Sequence, residues 1–280
     1  MTRSMTRSTT RRFPAAAMSV LLALAACKDA STPPEESKES TRVVRVCADP
    51  NNLPFSNDRL EGFENRLAEL VARELGAELA YVWKPQRRGF LRTGLKEKTC
   101  DVVIGLASEV DMALTTRPYY RSSYVVVRPD GLAPFASLDD ARLETARIGV
   151  QLVGDDYNNT PPAHALARRG LVRNLVGFTV YGDYAQDSPP AEVVRAISRG
   201  DIDVAVAWGP MAGYFARAAE PPLAVDVLAA ERDAGLPMRF EISMAVARGR
   251  AELRAELDAV IERCRGEIDA ILDSYAVPRV

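Results

Sequence analysis

The chain has a single histidine, His164, set in P-P-A-H-A-L-A-R-R near a helix start, where a solvated position is expected and a catalytic base is not. One His and no Cys pair at ligand spacing exclude the common zinc and iron sites. No G-x-S-x-G, G-x-G-x-x-G or P-loop is present, so a nucleophile elbow and a nucleotide cradle both lack support. Apolar runs of membrane-spanning length are missing too: the stretch from Ala15 to Ala26 is too short for a comfortable span. There is also no surplus of basic charge, with 36 Lys and Arg against 38 Asp and Glu.

What precedes and follows that short apolar stretch gives it a meaning. Arg3, Arg7, Arg11 and Arg12 come before it with no acid among them, which is the layout of a secretory signal. It ends in L-A-A-C at Leu24 to Cys27, which resembles the lipobox of bacterial lipoproteins and implies lipidation of Cys27. The alternative is an ordinary signal peptide (1–27) with an incidental cysteine. Residues 28–41 hold almost nothing apolar and read as a disordered tether. Without the four leader Arg, 32 basic residues face 38 acidic ones, a net charge of −6. Nucleic acid is therefore disfavoured as a partner, a basic docking partner fits better, and the membrane enters only through a lipid anchor.

Setting Cys27 aside, Cys47, Cys100 and Cys264 remain, so at most one pair forms within the chain. Cys264 falls on the apolar face of the last helix and is expected to be a buried thiol. Cys47 and Cys100 each sit on a predicted strand. If those strands are neighbours, a disulfide is within reach, and it is the expected outcome for an exported chain; two free core thiols are the alternative.

Hydrophobic periodicity then divides the chain into two similar halves. Val43, Val44, Val46 and Ala48 predict a strand, followed by the turn-rich loop D-P-N-N-L-P-F-S-N. Phe63, Leu67, Leu70, Val71 and Leu75 predict a helix ending at Gly76. Leu79 to Trp83 predicts a strand, Phe90 to Lys98 a helix and Cys100 to Leu106 a strand. The grammar repeats with strands at Ile148 to Leu152, Leu175 to Val180 and Val204 to Trp208, and helices at Ala163 to Arg169 and Ala191 to Arg199. Such β-α-β runs imply parallel sheets with right-handed crossovers. Tyr119 to Arg128 and Arg239 to Ala247 are extended segments read as two strands crossing between the halves. One long helix, from Leu253 to Leu272, packs on the first half.

Two α/β lobes joined by two crossing strands, T-T-R-P-Y-Y at Thr115 to Tyr120 and a long C-terminal helix resemble the type II periplasmic solute-binding proteins. More specifically, R-V-C-A-D-P-N-N-L-P-F-S-N, G-F-E-N-R, W-K-P-Q-R-R-G-F, C-D-V-V-I-G, L-T-T-R-P-Y-Y-R-S and V-A-W-G-P-M-A-G-Y-F resemble the quinoprotein-dehydrogenase-associated MxaJ and XoxJ branch. The resemblance covers roughly 42–280. It implies a two-lobed fold, each lobe a mainly parallel sheet flanked by helices, with lobe 1 at 42–126 plus 243–280 and lobe 2 at 127–242. It also implies a periplasmic accessory of a PQQ-dependent methanol or other alcohol dehydrogenase and its cytochrome c. No cofactor of the chain's own is implied.

The chain departs from amino-acid receptors of this fold. They present an Arg before T-x-P-Y to hold a carboxylate, whereas Glu109 and Asp111 stand here between Gly105 and Thr115. Where those receptors show a Gly-Thr-Thr turn, this chain has V-G-D-D-Y-N-N with Asp155 and Asp156. An anion is disfavoured at both places. The expected cleft is aromatic and mixed in charge: Asp49, Asn51, Asn52, Phe55, Phe63, Trp83, Arg87, Arg88, Arg117, Tyr119, Tyr120, Asp155 and Trp208, with Tyr214 nearby. It would take a small ligand or a segment of a partner protein. Two other readings stay open: a transporter receptor for a polar or aromatic solute, and a lyase or dehydratase using Asp49, Glu64 or Asp101. No pair of carboxylates is constrained by sequence to face each other, so no catalytic residue is assigned.

Overall fold

Val44, Val46 and Ala48 turn inward from β1 (Val43–Ala48) in a computed structural model that describes residues 42–280, other than 109, 154–158, 182 and 234. Thr41–Val280 form one compact unit. Cys27, Glu109, Asp155 and Asp156 lie outside the described residues.

After β1 come α1 (Phe63–Glu74), β2 (Glu78–Trp83) and β3 (Val102–Ala107). Both β2 and β3 pair with β1 in parallel, as a β-α-β run requires. The apolar stripe of α1 is fully used, with Phe63, Leu67, Leu70 and Val71 all buried against the sheet. Burial of this kind is worth roughly 1.5–3 kcal/mol per large side chain. Helix α1 starts at Gly62, whose N–H donates to Asn65 Oδ1 at 3.0 Å, in place of a Ser or Thr cap. Between β2 and β3 the helix expected over Phe90 to Lys98 is present in shorter form, helical from Phe90 and closing in a wide π-helical turn, Arg92–Lys96. It brings Gly94 so close to the disulfide that a Cβ there would lie 2.7 Å from Cys47 Sγ.

The chain leaves this half along β4 (Tyr120–Pro129) and builds a second parallel set from β5 (Ile148–Leu152), α2 (Pro161–Arg168), β6 (Leu175–Thr179), α3 (Glu192–Ser198) and β7 (Val204–Trp208). Two elements here have no counterpart in the sequence reading: α4 (Gly209–Arg217), which starts at once after β7, and β8 (Leu223–Val227), which pairs antiparallel with β4. The return strand is β9 (Arg239–Val246). The whole sheet runs β2-β1-β3-β9-β4-β7-β5-β6, with β8 and the short ladder Leu114–Thr115 as branches. Parallel triplets thus lie at both ends, and two antiparallel crossing strands join them. Residues Arg239 to Ile242 of β9 pair with Tyr120 to Ser123 of β4, beyond which each strand runs into its own half.

The expected last helix is two, α5 (Ala251–Arg263) and α6 (Arg265–Ser274), which meet at Cys264 with φ −103° and ψ 20°. Their inner faces, Leu253, Leu257, Val260, Ile261, Ile268 and Leu272, share one core with β1 and α1. Cys264 is a free thiol, partly buried against the edge of that core and not the fully buried one expected. Cys47 on β1 and Cys100, two residues before β3, form the disulfide, with Cα atoms 5.5 Å apart. In the second half the buried ion pair of Arg128 with Asp226, 2.7 Å from Nε to Oδ2, ties β4 to β8, and Asp226 also accepts the Phe135 N–H at 2.8 Å.

Candidate functional site

The loop leaving β1 folds around Asp49. The Asp49 N–H donates to Ser56 Oγ at 3.1 Å and the Ser56 hydroxyl returns a bond to the Asp49 carbonyl at 2.8 Å, which fixes the loop on itself. The Asp49 carboxylate is thereby turned away from solvent. It accepts the Asn51 N–H at 2.9 Å, the Gln86 N–H at 2.5 Å and the Tyr184 hydroxyl, the last from the second half of the sheet. Asn51 continues this crossing: its Nδ2 donates to the Gln186 carbonyl at 2.8 Å and its Oδ1 accepts the Ser188 N–H at 3.0 Å. Asn52 instead holds Gln86 through Nδ2 to Oε1 at 3.1 Å. The Arg87 guanidinium lies over the Tyr184 ring at 4.7 Å and near Tyr181 at 5.9 Å.

Behind these contacts lies a cavity of about 440 Å³, within the usual range for small-ligand sites. Asp49, Asn52, Phe55 and Gln86 line it from the first half, and Gln151, Thr160, Tyr181, Tyr184, Trp208 and Met211 from the second. Its floor comes from the crossing strands, with Tyr124 on β4 and Phe240 and Ile242 on β9. Tyr124, Trp208 and Phe240 meet nearly perpendicular to one another, with centroids 5.4, 5.8 and 6.3 Å apart. That is the preferred edge-to-face geometry for aromatic rings. Burial pushes the Tyr124 hydroxyl up to about 12, so it stays neutral at any physiological pH.

A smaller chamber of about 190 Å³ adjoins this cavity through Phe55, Gln86, Ala107, Trp208 and Ile242. Glu64, from the first turn of α1, forms one of its walls. Gly105 makes the room, because a Cβ there would meet Glu64 Oε1 at 2.0 Å. Desolvation, reinforced by the nearby charge of Asp49, lifts the Glu64 carboxyl to about 8. At neutral pH it is largely a protonated acid facing an aromatic chamber.

The structure brings Asp49, Asn52, Phe55 and Trp208 into the cavity wall and Tyr120 into the smaller chamber. Asn51 and Arg87 lie where the two halves touch, and Arg88 is exposed in the same loop. Other expected positions fall elsewhere. Phe63 is completely buried between Phe55, Tyr120 and Tyr275, since it is the first apolar residue of the α1 stripe. Tyr119 is buried too, donating its hydroxyl to the Ile104 carbonyl at 3.2 Å. Trp83 stacks on Tyr81 at 4.6 Å along the outer strand β2. Tyr214 stacks on Tyr275 at 5.7 Å on the far side of α4. Arg117 faces α5, with its N–H on Asp258 at 2.7 Å and its guanidinium on Glu262 at 3.0 Å. Arg87, Arg88 and Arg117 therefore do not line the cavity, which is not of mixed charge among the described residues.

Sequence reasoning missed Tyr124, Tyr181, Tyr184 and Phe240. The rule that ligands sit beyond the carboxyl ends of the strands, applied to the second half as well, would have pointed to Y-G-D-Y after β6. Tyr124 and Phe240 carry no such mark, because they are ordinary members of the crossing strands. Among the described residues no group of three or more His, Cys, Asp or Glu is placed to hold a metal ion.

Two parallel half-sheets joined by two crossing strands, with a ligand-sized cavity at the crossing, define a binding protein of the solute-receptor type, and the chain belongs to the bacterial extracellular solute-binding proteins, family 3, whose pattern matches residues 44–278. Within that family it is similar to Protein MoxJ of Methylorubrum extorquens, 32% identical over 279 residues, spanning 94% of this chain and 92% of that one. The crystal structure of periplasmic binding protein XoxJ from Methylobacterium extorquens AM1 superposes with a TM-score of 0.71 at 36% identity, covering 85% of this chain and 99% of that one. MxaJ from Methlophaga aminisulfidivorans MPT gives 0.74 at 25% identity, covering 85% and 100%.

Proposed function

We propose that this protein is a periplasmic, non-catalytic accessory of a PQQ-dependent methanol or alcohol dehydrogenase system, which binds a small ligand or a partner segment between its lobes. The observation that carries the reading is the likeness to XoxJ across 99% of that chain, combined with a cavity wall free of Lys and Arg among the described residues. An amino-acid receptor needs a cation for the ligand's carboxylate, and here Asp49 stands in the wall instead. Lobe 1 (42–126 plus 243–280) and lobe 2 (127–242) would close about β4 and β9. A lipid on Cys27, with residues 28–41 as tether, would hold the protein at the membrane.

Affinity capture from periplasmic extract of cells grown on an alcohol tests this directly. The dehydrogenase or its cytochrome c is the expected catch, and recovery of neither overturns the proposal. A transporter receptor is the second reading, favoured by membership of the family and by the cavity's size. A neighbouring permease and ATPase, with a large thermal shift on adding one metabolite, would support it. A ligand at 100 times its Kd adds about 2.7 kcal/mol.

A further inference from the structure

The two chambers hold acidic groups, Asp49 and Glu64, and no Lys, Arg or His among the described residues. Tyr124, Trp208 and Phe240 stand close together in the floor, and aromatic faces are negative. Two other rings of the cavity wall already hold a cation, since Arg87 lies over Tyr184 and Tyr181.

The geometry points to an organic ammonium ion as the occupant of this cavity, held over the faces of Trp208 and Phe240 and balanced by the carboxyl groups of Glu64 and Asp49. The inference rests on the reading of the cavity as the binding site and names its ligand class. A carboxylate would meet Asp49 with no counter-charge. A neutral apolar guest would gain contact with the rings and nothing from the acids. The room made for Glu64 by Gly105 has a use on this account, because it sets an acid beside the aromatic floor where a helix-start residue would otherwise be excluded.

Glu64 also supplies a signature. The titratable groups around it are Asp49 from the first loop, Tyr81 on β2, and Tyr119 and Tyr120 where β4 begins, with Gln86, Gly105 and apolar side chains between them; burial raises all three tyrosines and holds them neutral. Desolvation and the charge of Asp49 keep its proton on. An arriving ammonium provides the missing counter-charge, so Glu64 gives its proton to solvent and pairs as the carboxylate. Cation binding therefore releases a proton and strengthens as pH rises.

Calorimetric titration of the whole protein tests this with choline and N-acetyl-lysine methylamide, against the uncharged isostere 3,3-dimethylbutan-1-ol and the anion 3,3-dimethylbutanoate. At least one cation should bind roughly tenfold or more tighter than both controls. Its affinity should be higher at about pH 8.5 than at about pH 6 in the wild type and level in Glu64→Gln. Trp208→Phe, which keeps a ring in place, should retain most of the binding and Trp208→Ala should lose it. Choline alone binding identifies a free small molecule as the source, and the lysine derivative alone identifies a side chain of the partner. Equal or better binding of either control, or no saturable binding of either cation, overturns the inference. Capture of the dehydrogenase without cation binding refutes this inference and leaves the accessory role intact. Cation binding without capture does the reverse.

Discussion

Cutting the link between Cys47 and Cys100 should cost this protein about 4 kcal/mol. The bond closes a loop with a sequence separation of 53 residues. In the chain-entropy model such a loop restricts the unfolded chain by about 14 cal/mol/K, or about 4 kcal/mol at room temperature. Both cysteines are buried in a small cluster with Phe90, Leu95, Val103 and Ala245, so the folded side loses packing as well when the sulfurs are removed. For a chain of this size each kcal/mol moves Tm by about 2–4 °C, which places the reduced protein about 8–16 °C below the oxidised one. Urea unfolding of the wild type with and without reductant, beside Cys47→Ala/Cys100→Ala, reads the quantity directly. The reduced wild type and the double variant should agree within about 1 kcal/mol, since both lack the same cross-link. A loss below about 1 kcal/mol would refute the reasoning, because it would mean that the unfolded chain already holds these strands together. Gly94→Ala offers an independent check in the oxidised protein. Its Cβ would fall 2.7 Å from Cys47 Sγ, so the turn at Arg92–Lys96 must shift and stability should drop by about 1–3 kcal/mol.

Glu64 holds a proton up to about 8 in the folded protein against 4.5 for the free group, so the unfolded chain releases that proton first and stability falls as pH rises between those values. The slope is at most about 1.4 kcal/mol per pH unit, and Glu64→Gln should remove it; urea midpoints of variant and wild type that run parallel from about pH 5 to about pH 8 would contradict this. Asp226→Ala leaves Arg128 buried without its carboxylate and should cost about 3–5 kcal/mol in the same assay. Tyr184→Phe removes one of three donors to the Asp49 carboxylate; amide exchange at Ser188, across the same contact, should speed up, and unchanged exchange would show that Tyr184 does not hold the halves together.

Much of the fold was legible because it rests on local repetition. The strands at Val43–Ala48, Ile148–Leu152 and Val204–Trp208 and the stripe of α1 follow from periodicity alone, and the sheet pairs them as a β-α-β grammar demands. Helix α4 was not read from the sequence, although Gly209 and Pro210 open it and Pro at the start of a helix loses no bond. The last two helices were read as one because their apolar residues stay on a single face through Cys264, and period cannot register a change of axis. At the candidate site, Asp49, Asn52 and Phe55 were read from their loop and Trp208 from its strand end, and all four line the cavity. Arg117 went wrong for a long-range reason: its partners Asp258 and Glu262 are on α5, more than a hundred residues away. The aromatic floor is of the same kind, assembled from Tyr124 and Phe240 on strands that become neighbours only when the chain returns.

With closure about β4 and β9 as proposed, that floor puts the pocket at the pivot. Tyr124 and Phe240 belong to the strands about which one half would swing against the other, so a given angle of swing would move them little, while Tyr184 and Ser188, outside those strands, would travel further. A guest seated on the floor would thus keep its footing throughout the motion, and its thickness, acting on a short lever arm, would set how far the distant lips can approach. A difference of one ångström at the fulcrum would be magnified at the rim, where a second protein would come to read it.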